Sequence, residues 1–435
     1  MGLFCTMEIQ QLYKIFQKHS SVSTDTRKIE PGGIFFALKG ENYNGNKFAE
    51  KALVAGASYS IIDDPGLKDS NDRFIFVPDC LTALQQLAKY HRNKLKIKII
   101  GITGTNGKTT TKELVYAVLA SAFSVQATRG NFNNHIGVPL TLLELKESTE
   151  IAIIEMGANH PGEIADLCEL SSPDYGIITN IGKAHLEGFG DSETIIETKR
   201  ALYEAVRKKN GTLIVNNDNE LLLELSKGIA RFTFGRISKG DINGQIVANN
   251  PFLELSFEFD GSKKVKTRLI GSYNFENVMA AVCCGIFFKT PTSKIVQSLE
   301  NYTPSNNRSQ VMKTAANLLI LDAYNANPTS LEKAILNFID LNYTDKVLII
   351  GDMLELGKAE DLEHSAILET LSEIQDVEII LIGPVFHRLY RQLSFKTFEN
   401  VEVAKQYLIN YPMKNKTILL KGSRGIHLEL LNEVL

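Results

Sequence analysis

The sequence predicts an α/β protein with three domains. At 435 residues the chain is too long to fold around one hydrophobic core. Short apolar segments such as residues 151–154 alternate with amphipathic helical segments, and continuous apolar runs are typical of parallel strands that are covered on both faces. The pattern changes near residues 95 and 302. We therefore expect a small N-terminal α/β unit, a larger central unit and a second parallel α/β unit.

The composition excludes several classes of protein. The formal net charge is −3 and charges of both signs are interspersed, so the chain lacks the basic face of a nucleic-acid-binding protein. No apolar run approaches the ~20 residues that a membrane span requires. The cysteines, which lack the spacing of a metal site and favour reduced thiols, are Cys5, Cys80, Cys168, Cys283 and Cys284. We expect a monomeric cytoplasmic protein that binds small molecules and associates stably with neither membranes nor nucleic acid.

The N-terminal unit combines predicted strands and helices with two polar interruptions. The strands are residues 34–38, 59–62 and 74–77, and the helices are residues 47–55 and 82–92. The interruptions are Ser23-Thr24-Asp25-Thr26-Arg27 and residues 39–42. Each is interpreted as a turn from its own pattern, and a role as an anion-binding loop needs support from elsewhere.

A glycine-rich loop at residues 101–110 is the strongest motif of the central unit. It follows the strand-like residues 96–100 and leads into a helical segment. In this order the backbone N–H groups and the helix N-terminus surround a polyphosphate, Lys108 contacts the outer phosphates and the Thr109 hydroxyl binds Mg2+. The first glycine is Gly101, one position earlier than in the Walker A pattern, and the alternative is a turn without a ligand. The context favours a phosphate-binding loop for ATP or GTP.

Two further polar residues follow predicted parallel strands. Glu155 ends the apolar run 151–154, and His185 lies shortly after the strand-like residues 175–180. Ligands of open α/β sheets gather at the carboxyl ends of the strands. A carboxylate suits Mg2+ and a neutral imidazole suits a second divalent cation, so we expect both side chains near the phosphate-binding loop. Either one alone is more often an ordinary polar residue at a strand end.

The rest of the central unit carries weaker signals. Residues 192–207 predict a helix on which Lys199 is, by pattern alone, a surface charge. Alternating segments such as residues 252–259 predict an antiparallel β insertion. Asn274 and Asn277 stand one helical turn apart at the start of a helix, where helix capping explains them as well as a ligand does.

The C-terminal unit alternates strands with helices, which is the signature of a second parallel α/β domain. The predicted strands are residues 318–321, 347–350, 378–382 and 417–420. Three of them end in polar or glycine-containing segments, residues 322–328, 351–357 and 421–424. Because strand ends of a parallel sheet lie on one rim, these segments are expected to be neighbours. The polar stretch 301–310 predicts the linker to the central unit.

Taken in order, these motifs resemble the Mur ligases of peptidoglycan synthesis. The segments that carry the resemblance are residues 101–110, 131–143, 154–163, 180–187, 274–277, 322–328, 351–357 and 421–424. They extend over nearly the whole chain. The last three segments are most similar to those of the family members that add D-alanyl-D-alanine to UDP-N-acetylmuramoyl-tripeptide.

The resemblance implies an ATP-dependent amide-bond ligase with ATP and Mg2+ as cofactors. The implied fold has a small N-terminal α/β substrate domain (1–94), a central P-loop ATPase-like parallel sheet with a small antiparallel β portion (95–302) and a C-terminal Rossmann-like α/β domain (303–435). The implied reaction joins D-alanyl-D-alanine to the terminal carboxylate of UDP-N-acetylmuramoyl-tripeptide through an acyl phosphate. The alternatives are another ligase of the superfamily, such as the ligase that adds the third peptide residue or folylpolyglutamate synthase, and a nucleotide-dependent switch or binding protein.

The resemblance also implies roles for individual residues. The implied catalytic residues are Lys108, Glu155, His185 and Lys199. The implied ATP-binding residues are Gly104, Thr105, Asn106, Gly107, Lys108, Thr109, Thr110, Asn274, Asn277, Arg308, Asp322, Tyr324 and Asn325. The implied substrate-binding residues are Thr24, Asp25, Thr26, Arg27, Asn133, Asn134, Lys421, Gly422, Ser423 and Arg424. The implied metal ligands are Thr109, Glu155, His185 and Lys199, the last as a carbamate formed with CO2.

Two positions depart from the pattern of the family. Arg308 follows Asn307, where many relatives have a glycine, and Ala323 follows Asp322, where many have a second acid.

Overall fold

Three main β-sheets, each covered by helices, organise the chain. The computed structural model describes residues 8–305, 307–389 and 395–435, so Cys5 lies outside the described residues. The other four cysteines are buried and unpaired. None of the described helices is long and apolar enough to cross a lipid bilayer. Short 3-10 helices occupy Thr26–Lys28, Gly45–Phe48, Pro65–Leu67, Ser272–Asn274, Gly357–Ala359, Arg424–Ile426 and Leu428–Glu433.

The N-terminal unit is a four-stranded parallel sheet with three helices. Its strands are β1 (Val22–Ser23), β2 (Ile34–Phe36), β3 (Lys39–Gly40), β4 (Tyr43–Asn44), β5 (Tyr59–Ile62) and β6 (Phe74–Phe76). Its helices are α1 (Ile9–Lys18), α2 (Ala49–Val54) and α3 (Cys80–Lys94). The sheet order is β1-β2-β5-β6, and β3 and β4 form a separate antiparallel ribbon. The strand predicted at residues 34–38 ends at Phe36 because the chain turns there, with the Leu38 N–H donating to the carbonyl oxygen of Phe36.

The central unit is a nine-stranded sheet with helices on both faces. Its strands are β7 (Lys98–Thr103), β8 (Val125–Ala127), β9 (Ile151–Glu155), β10 (Tyr175–Ile178), β11 (Thr212–Asn216), β12 (Ala230–Gly235), β13 (Ile242–Asn249), β14 (Phe252–Glu258) and β15 (Ser262–Ile270). Its helices are α4 (Lys108–Ala120), α5 (Gly137–Leu143), α6 (Glu163–Ser171), α7 (Leu186–Phe189), α8 (Ser192–Lys208), α9 (Glu220–Leu225), α10 (Phe275–Phe287) and α11 (Thr292–Asn301).

The order of this sheet is β15-β14-β13-β12-β11-β10-β7-β9-β8. All pairs from β8 to β13 along this order are parallel, whereas the pairs β13–β14 and β14–β15 are antiparallel. The antiparallel strands that the alternating pattern predicts are therefore present. They extend the same sheet, because β13 pairs in parallel with β12 through Phe234 and Ile242.

The C-terminal unit is a six-stranded sheet of order β16-β17-β21-β18-β19-β20, in which only the edge strand β16 is antiparallel. Its strands are β16 (Gln310–Lys313), β17 (Leu318–Leu321), β18 (Lys346–Gly351), β19 (Glu378–Ile382), β20 (Lys396–Phe398) and β21 (Thr417–Lys421). Its helices are α12 (Pro328–Asp340), α13 (Glu360–Ser372), α14 (Pro384–Leu389) and α15 (Val401–Asn410). The α/β fold that the sequence predicts, with parallel sheets in the centre and at the C-terminus, is confirmed.

The N-terminal and central units share a hydrophobic core, whereas the C-terminal unit has its own. One core is shared by the N-terminal unit and one face of the central sheet, since it joins Phe16 and Leu84 to Leu142 and Ile154. The C-terminal sheet has two cores of its own, to which the central unit contributes Ile270 and little else. The N-terminal and central units are therefore one packed body, whereas the C-terminal unit meets that body mainly through polar side chains.

Candidate active site

The loop between β7 and α4 has the backbone geometry of a phosphate-binding loop. Gly104 and Gly107 have φ angles of 147° and 80°, which favour glycine. A Cβ atom on Gly104 would lie 2.0 Å from the Thr179 hydroxyl, and one on Gly107 would lie 2.5 Å from the Asn277 amide oxygen. Gly107 is the N-cap of α4, and no described side chain caps this helix. The first N–H groups of α4 therefore remain open to an anion.

The end of β10 braces this loop from behind. The Thr105 N–H donates to the carbonyl oxygen of Asn180 at 2.8 Å, and the Asn106 N–H donates to the side-chain oxygen of Asn180 at 3.0 Å. The hydroxyl of Thr179 donates to the carbonyl oxygen of Asn106 at 2.6 Å. These contacts fix the loop before any ligand arrives, so little ordering remains for binding.

Lys108 folds back onto the loop that it follows. Its Nζ donates to the carbonyl oxygens of Gly104 and Thr105 at 2.8 and 3.1 Å. Burial lowers the pKa of Lys108, and the neighbouring Arg308 acts in the same direction while Glu155 opposes it. The two carbonyl oxygens hold the ammonium beside the loop, where phosphate oxygens can replace them.

Glu155 ends β9 beside this loop and is 1 % exposed. Its Oε1 accepts hydrogen bonds from the Thr109 hydroxyl at 3.1 Å and from the Asn133 amide at 2.8 Å. Its Oε2 accepts none. A buried carboxylate oxygen without a donor, next to a threonine hydroxyl, fits a hard divalent cation. The structure thus brings Thr109 and Glu155 together, as the sequence predicts.

Lys199 lies on α8, where it is 3 % exposed rather than a surface charge. It has no hydrogen bond or ion pair among the described residues. Burial lowers the pKa of Lys199 to about 7, and the charge of Lys108 adds to the effect. A neutral, buried amine at neutral pH is nucleophilic, which is the property that carbamylation by CO2 requires.

His185 contacts the C-terminal unit. Its Nδ1 forms an ion pair with Oε2 of Glu355, and this contact lowers the pKa of Glu355. Within the part of the chain that the structure describes, His185 forms no hydrogen bond or ion pair with Glu155. The role of His185 near the phosphate-binding loop stays a prediction, and its partner here is a carboxylate from the C-terminal unit.

Asn274 and Asn277 are buried and form a chain of amides behind the loop. Asn274 donates to the carbonyl oxygen of Ile270 at 2.8 Å and accepts from Asn277 at 2.9 Å. The oxygen of Asn277 accepts from the Thr111 hydroxyl at 3.0 Å. Neither side chain caps α10, so the capping explanation fails. The two residues instead fix α10 against the helix that follows the phosphate-binding loop.

The linker brings Arg308 to the ring of Tyr324. The guanidinium carbon of Arg308 lies 3.6 Å from the ring centroid, and that of Arg424 lies 5.6 Å from it. Asn307 and Ser309, on either side of Arg308, have φ angles of 56° and 49°. Asparagine adopts this left-handed conformation more readily than most residues, which explains how Asn307 replaces the glycine of the family pattern.

The remaining C-terminal motif residues are mostly engaged within their own unit. The Nζ of Lys421 forms an ion pair with Asp322 at 2.8 Å and donates to the carbonyl oxygen of Asn325 at 3.1 Å. Ser423 is buried, and its hydroxyl accepts from the Leu354 N–H at 2.9 Å. Gly422 packs against Gly351, where a Cβ atom would approach to 2.9 Å. By contrast, Asn325 and Arg424 are exposed, although the side-chain oxygen of Asn325 accepts from the Ala326 N–H at 2.9 Å.

The N-terminal candidates form a turn. Asp25 accepts from the Arg27 backbone N–H at 3.0 Å and pairs with its guanidinium at 2.8 Å. This hydrogen bonding lowers the pKa of Asp25 to about 2. Thr24 and Thr26 flank Asp25 and are partly exposed. Asn134, which is exposed, uses its side-chain oxygen to hold the N–H groups of Ile136 and Gly137.

Sequence reasoning missed four residues that the structure places at this site. Lys112 contacts Glu155, and Glu355 contacts His185. Asn180 and Asn327 both contact Asn106. Asn327 and Glu355 lie in segments that the sequence marks as strand ends. Lys112 carries no such signal, because a lysine in the second turn of a helix is normally solvated.

Three family profiles match the chain, each over a different unit. They are Mur ligase family, catalytic domain, at residues 18–92; Mur ligase middle domain at residues 102–285; and Mur ligase, glutamate ligase domain, at residues 307–424. Together they cover most of the sequence. The chain belongs to the Mur ligase family.

Individual relatives of this Mur ligase match nearly end to end. A UDP-N-acetylmuramoyl-tripeptide--D-alanyl-D-alanine ligase from Bacillus subtilis is 37 % identical over 94 % of this chain and 91 % of its own length. A crystal structure of MurF from Acinetobacter baumannii superposes with a TM-score of 0.87 at 31 % identity, covering 98 % of this chain and 97 % of that one. A MurF ligase from Thermotoga maritima in complex with ADP superposes with a TM-score of 0.84 at 27 % identity over 96 % and 97 % of the two chains. The likeness therefore extends to all three units of this Mur ligase.

Proposed function

We propose that this Mur ligase joins D-alanyl-D-alanine to the terminal carboxylate of UDP-N-acetylmuramoyl-tripeptide at the expense of ATP. The observation that carries the proposal is the match to relatives of that name over 94 % of the chain. The convergence of Lys108, Glu155 and Lys199 at one rim supports an ATP-dependent reaction. ADP, phosphate and a pentapeptide precursor of peptidoglycan are the products.

The three units have separate roles in this proposal. Residues 1–94 bind the UDP-sugar, with Thr24 to Arg27 and the loop at Asn133 and Asn134 on the substrate side. Residues 95–302 bind ATP through the phosphate-binding loop, supported by Asn274 and Asn277. Residues 303–435 bring Arg308, Asp322, Tyr324 and Asn325 towards ATP, and the loop from Lys421 to Arg424 faces the dipeptide.

Mg2+ is the metal that the donor set fits best. Thr109, Glu155 and, as a carbamate, Lys199 offer the oxygen ligands that this cation prefers, and His185 offers a nitrogen ligand once it leaves Glu355. When bound, Mg2+ supplies neutralisation of the phosphate charge. The ring of loop N–H groups and Lys108 adds positive charge at the same phosphates.

The chemistry follows from the poor leaving group of a carboxylate. ATP transfers its γ-phosphoryl group to the tripeptide carboxylate, so an acyl phosphate forms and ADP leaves. The amine of D-alanyl-D-alanine then attacks the carbonyl carbon, the C–O bond to phosphate breaks, and phosphate and the proton lost from the amine are released. Lys108 and the loop amides position the γ-phosphoryl group for in-line transfer. Closure of the C-terminal unit excludes water, which would otherwise hydrolyse the acyl phosphate.

Release of phosphate tests the proposal directly. Purified protein with ATP and Mg2+ is expected to release phosphate only when UDP-N-acetylmuramoyl-tripeptide and D-alanyl-D-alanine are both present, and mass spectrometry should show the pentapeptide product. Phosphate release with a single amino acid in place of the dipeptide would favour the ligase that adds the third residue or a folylpolyglutamate synthase. Hydrolysis of ATP irrespective of both substrates would favour a nucleotide-dependent switch.

A further inference from the structure

Lys112 is a buried cation beside the carboxylate of Glu155. Its Nζ lies 3.4 Å from Oε2 of Glu155, and the two side chains are 4 % and 1 % exposed. The same Nζ lies 3.4 Å from the carbonyl oxygen of Gly130. Both distances exceed the ~2.7–2.9 Å of a charge-assisted hydrogen bond. The ammonium therefore compensates the charge of Glu155 without being locked to it.

The two oxygens of Glu155 are treated differently by the surrounding protein. Oε1 receives hydrogen bonds from Thr109 and Asn133, whereas Oε2 receives none and faces Lys112. A buried carboxylate without a nearby positive charge is strongly disfavoured. Lys112 therefore places a compensating positive charge next to Oε2.

A cavity beside Lys112 has room for its ammonium group. It has a volume of about 370 Å³, opens to solvent, and is lined by Lys112, Gly130, Glu113, Glu144 and Arg129, among others. Glu144 is paired with Arg129 at 3.4 Å, and Glu113 accepts from the Tyr302 hydroxyl at 2.5 Å. Lys112 thus stands between Glu155 and an open space that contains two further carboxylates.

We propose that Lys112 is a placeholder cation for the metal of this site. It neutralises Glu155 in the metal-free protein and withdraws towards Gly130 and the cavity when a divalent cation binds Oε2. The placeholder keeps the affinity of the free protein for the metal low, so that the metal arrives with the nucleotide phosphates. This inference rests on the proposed function, because it takes Glu155 as a metal ligand, and it makes Lys112 a positioning residue rather than a catalytic one.

Binding of Mn2+ to the nucleotide-free protein tests the inference. Lys112→Met removes the competing charge, so we expect Mn2+ to bind on the order of 10-fold more tightly than to the wild type, as measured by electron paramagnetic resonance of free Mn2+. Lys112→Arg keeps the charge and should bind Mn2+ as weakly as the wild type. The control is Lys294→Met, because Lys294 on α11 donates to the carbonyl oxygen of Ser121 at the end of α4 and has no ion pair with a carboxylate among the described residues. Equal Mn2+ affinity of Lys112→Met and the wild type would overturn the inference.

Thermal unfolding separates this role from a merely structural one. Lys112→Met should unfold at a lower temperature than the wild type without metal and recover more than the wild type when Mn2+ is added. The double variant Lys112→Met/Glu155→Gln has no uncompensated charge, so it should be less destabilised than Lys112→Met and insensitive to Mn2+. A loss of stability in Lys112→Met that Mn2+ does not reverse, or the same loss in the double variant, contradicts the inference. Product formation by the wild type is scored separately, so its absence would overturn the proposed function and not be confused with these outcomes.

Discussion

Asn106 and Asn327 exchange hydrogen bonds between the central and C-terminal units. The amide of Asn327 donates to the side-chain oxygen of Asn106 at 2.8 Å, and the amide of Asn106 faces the oxygen of Asn327 at 3.4 Å. Asn106 belongs to the phosphate-binding loop, and Asn327 caps α12 by accepting from the Ser330 N–H at 2.9 Å. The pair therefore joins the phosphate-binding loop to the first helix of the C-terminal unit.

We expect the loss of this pair to lower kcat/KM for ATP modestly. Asn106→Ala removes the link but leaves the cap of α12 intact, so we expect kcat/KM for ATP to fall by about 5- to 10-fold, equivalent to one hydrogen bond of roughly 1 kcal/mol. Steady-state kinetics at saturating tripeptide and dipeptide measure the change.

A double-mutant cycle distinguishes the link from the cap. Asn327→Ala loses both, and its effect combined with Asn106→Ala should be less than additive. Asn327→Ser keeps a good capping residue but is too short to reach Asn106, so it should match Asn106→Ala in activity without loss of thermal stability. Strict additivity of the two alanine variants would show that the amides do not act as a pair.

We expect a side chain at Gly104, which directly follows β7, to clash with its neighbours. Gly104→Ala places a Cβ atom 2.0 Å from the Thr179 hydroxyl, so we expect a loss of stability of about 3 kcal/mol or more together with loss of ATP binding. The matched control is Gly162→Ala, since Gly162 has a φ of 85° but no atom within 4 Å of its Cβ position. That variant should lose only about 1–2 kcal/mol from backbone strain. Thermal unfolding and nucleotide titration measure both; equal effects of the two variants would rule out the steric explanation.

We expect replacement of Lys108 to reduce turnover while the fold stays intact. Lys108→Ala removes the ammonium from the phosphate-binding loop, so we expect kcat to fall by about 10²- to 10³-fold while the circular dichroism spectrum stays unchanged. Lys98→Ala is the control, because Lys98 is exposed at the other end of β7; its activity should be that of the wild type. Near-normal turnover of Lys108→Ala would refute the phosphate role.

The parts of the fold that follow from continuous apolar runs could be predicted from the sequence. The strands at residues 59–62, 318–321 and 378–382 have the predicted bounds, because burial on both faces leaves a run of apolar residues that polar residues end. The two-residue strands β1, β3 and β4 could not be predicted, since their pairing depends on neighbours distant in sequence. The pairing of β13 with β12 was hidden for the same reason.

The candidate site was predictable where a motif fixes the backbone and hidden where packing decides. Gly104, Gly107 and Glu155 are positioned by the strand–loop–helix order itself. Lys112 is not, because the pattern of α4 cannot show that Glu155 will lie beside its ammonium. The same limit applies to His185, because the sequence cannot show that its partner is Glu355, which belongs to the C-terminal unit.

We expect the amine of Lys199 to form a carbamate in a pH-dependent way. Its pKa of about 7 leaves the amine mostly neutral above that pH, whereas an exposed lysine is less than ~1 % neutral at a pH of about 8. Since only the neutral amine attacks CO2, a carbamate signal in 13C NMR of protein treated with 13C-bicarbonate should grow as the pH is raised through about 7. Lys199→Ala should lack the signal and the activity, and short carboxylic acids should restore activity by supplying an oxygen ligand. Lys208→Ala, at the exposed end of the same helix, should keep both. An undiminished signal in Lys199→Ala, or full activity without added acid, would exclude a carbamate at this position.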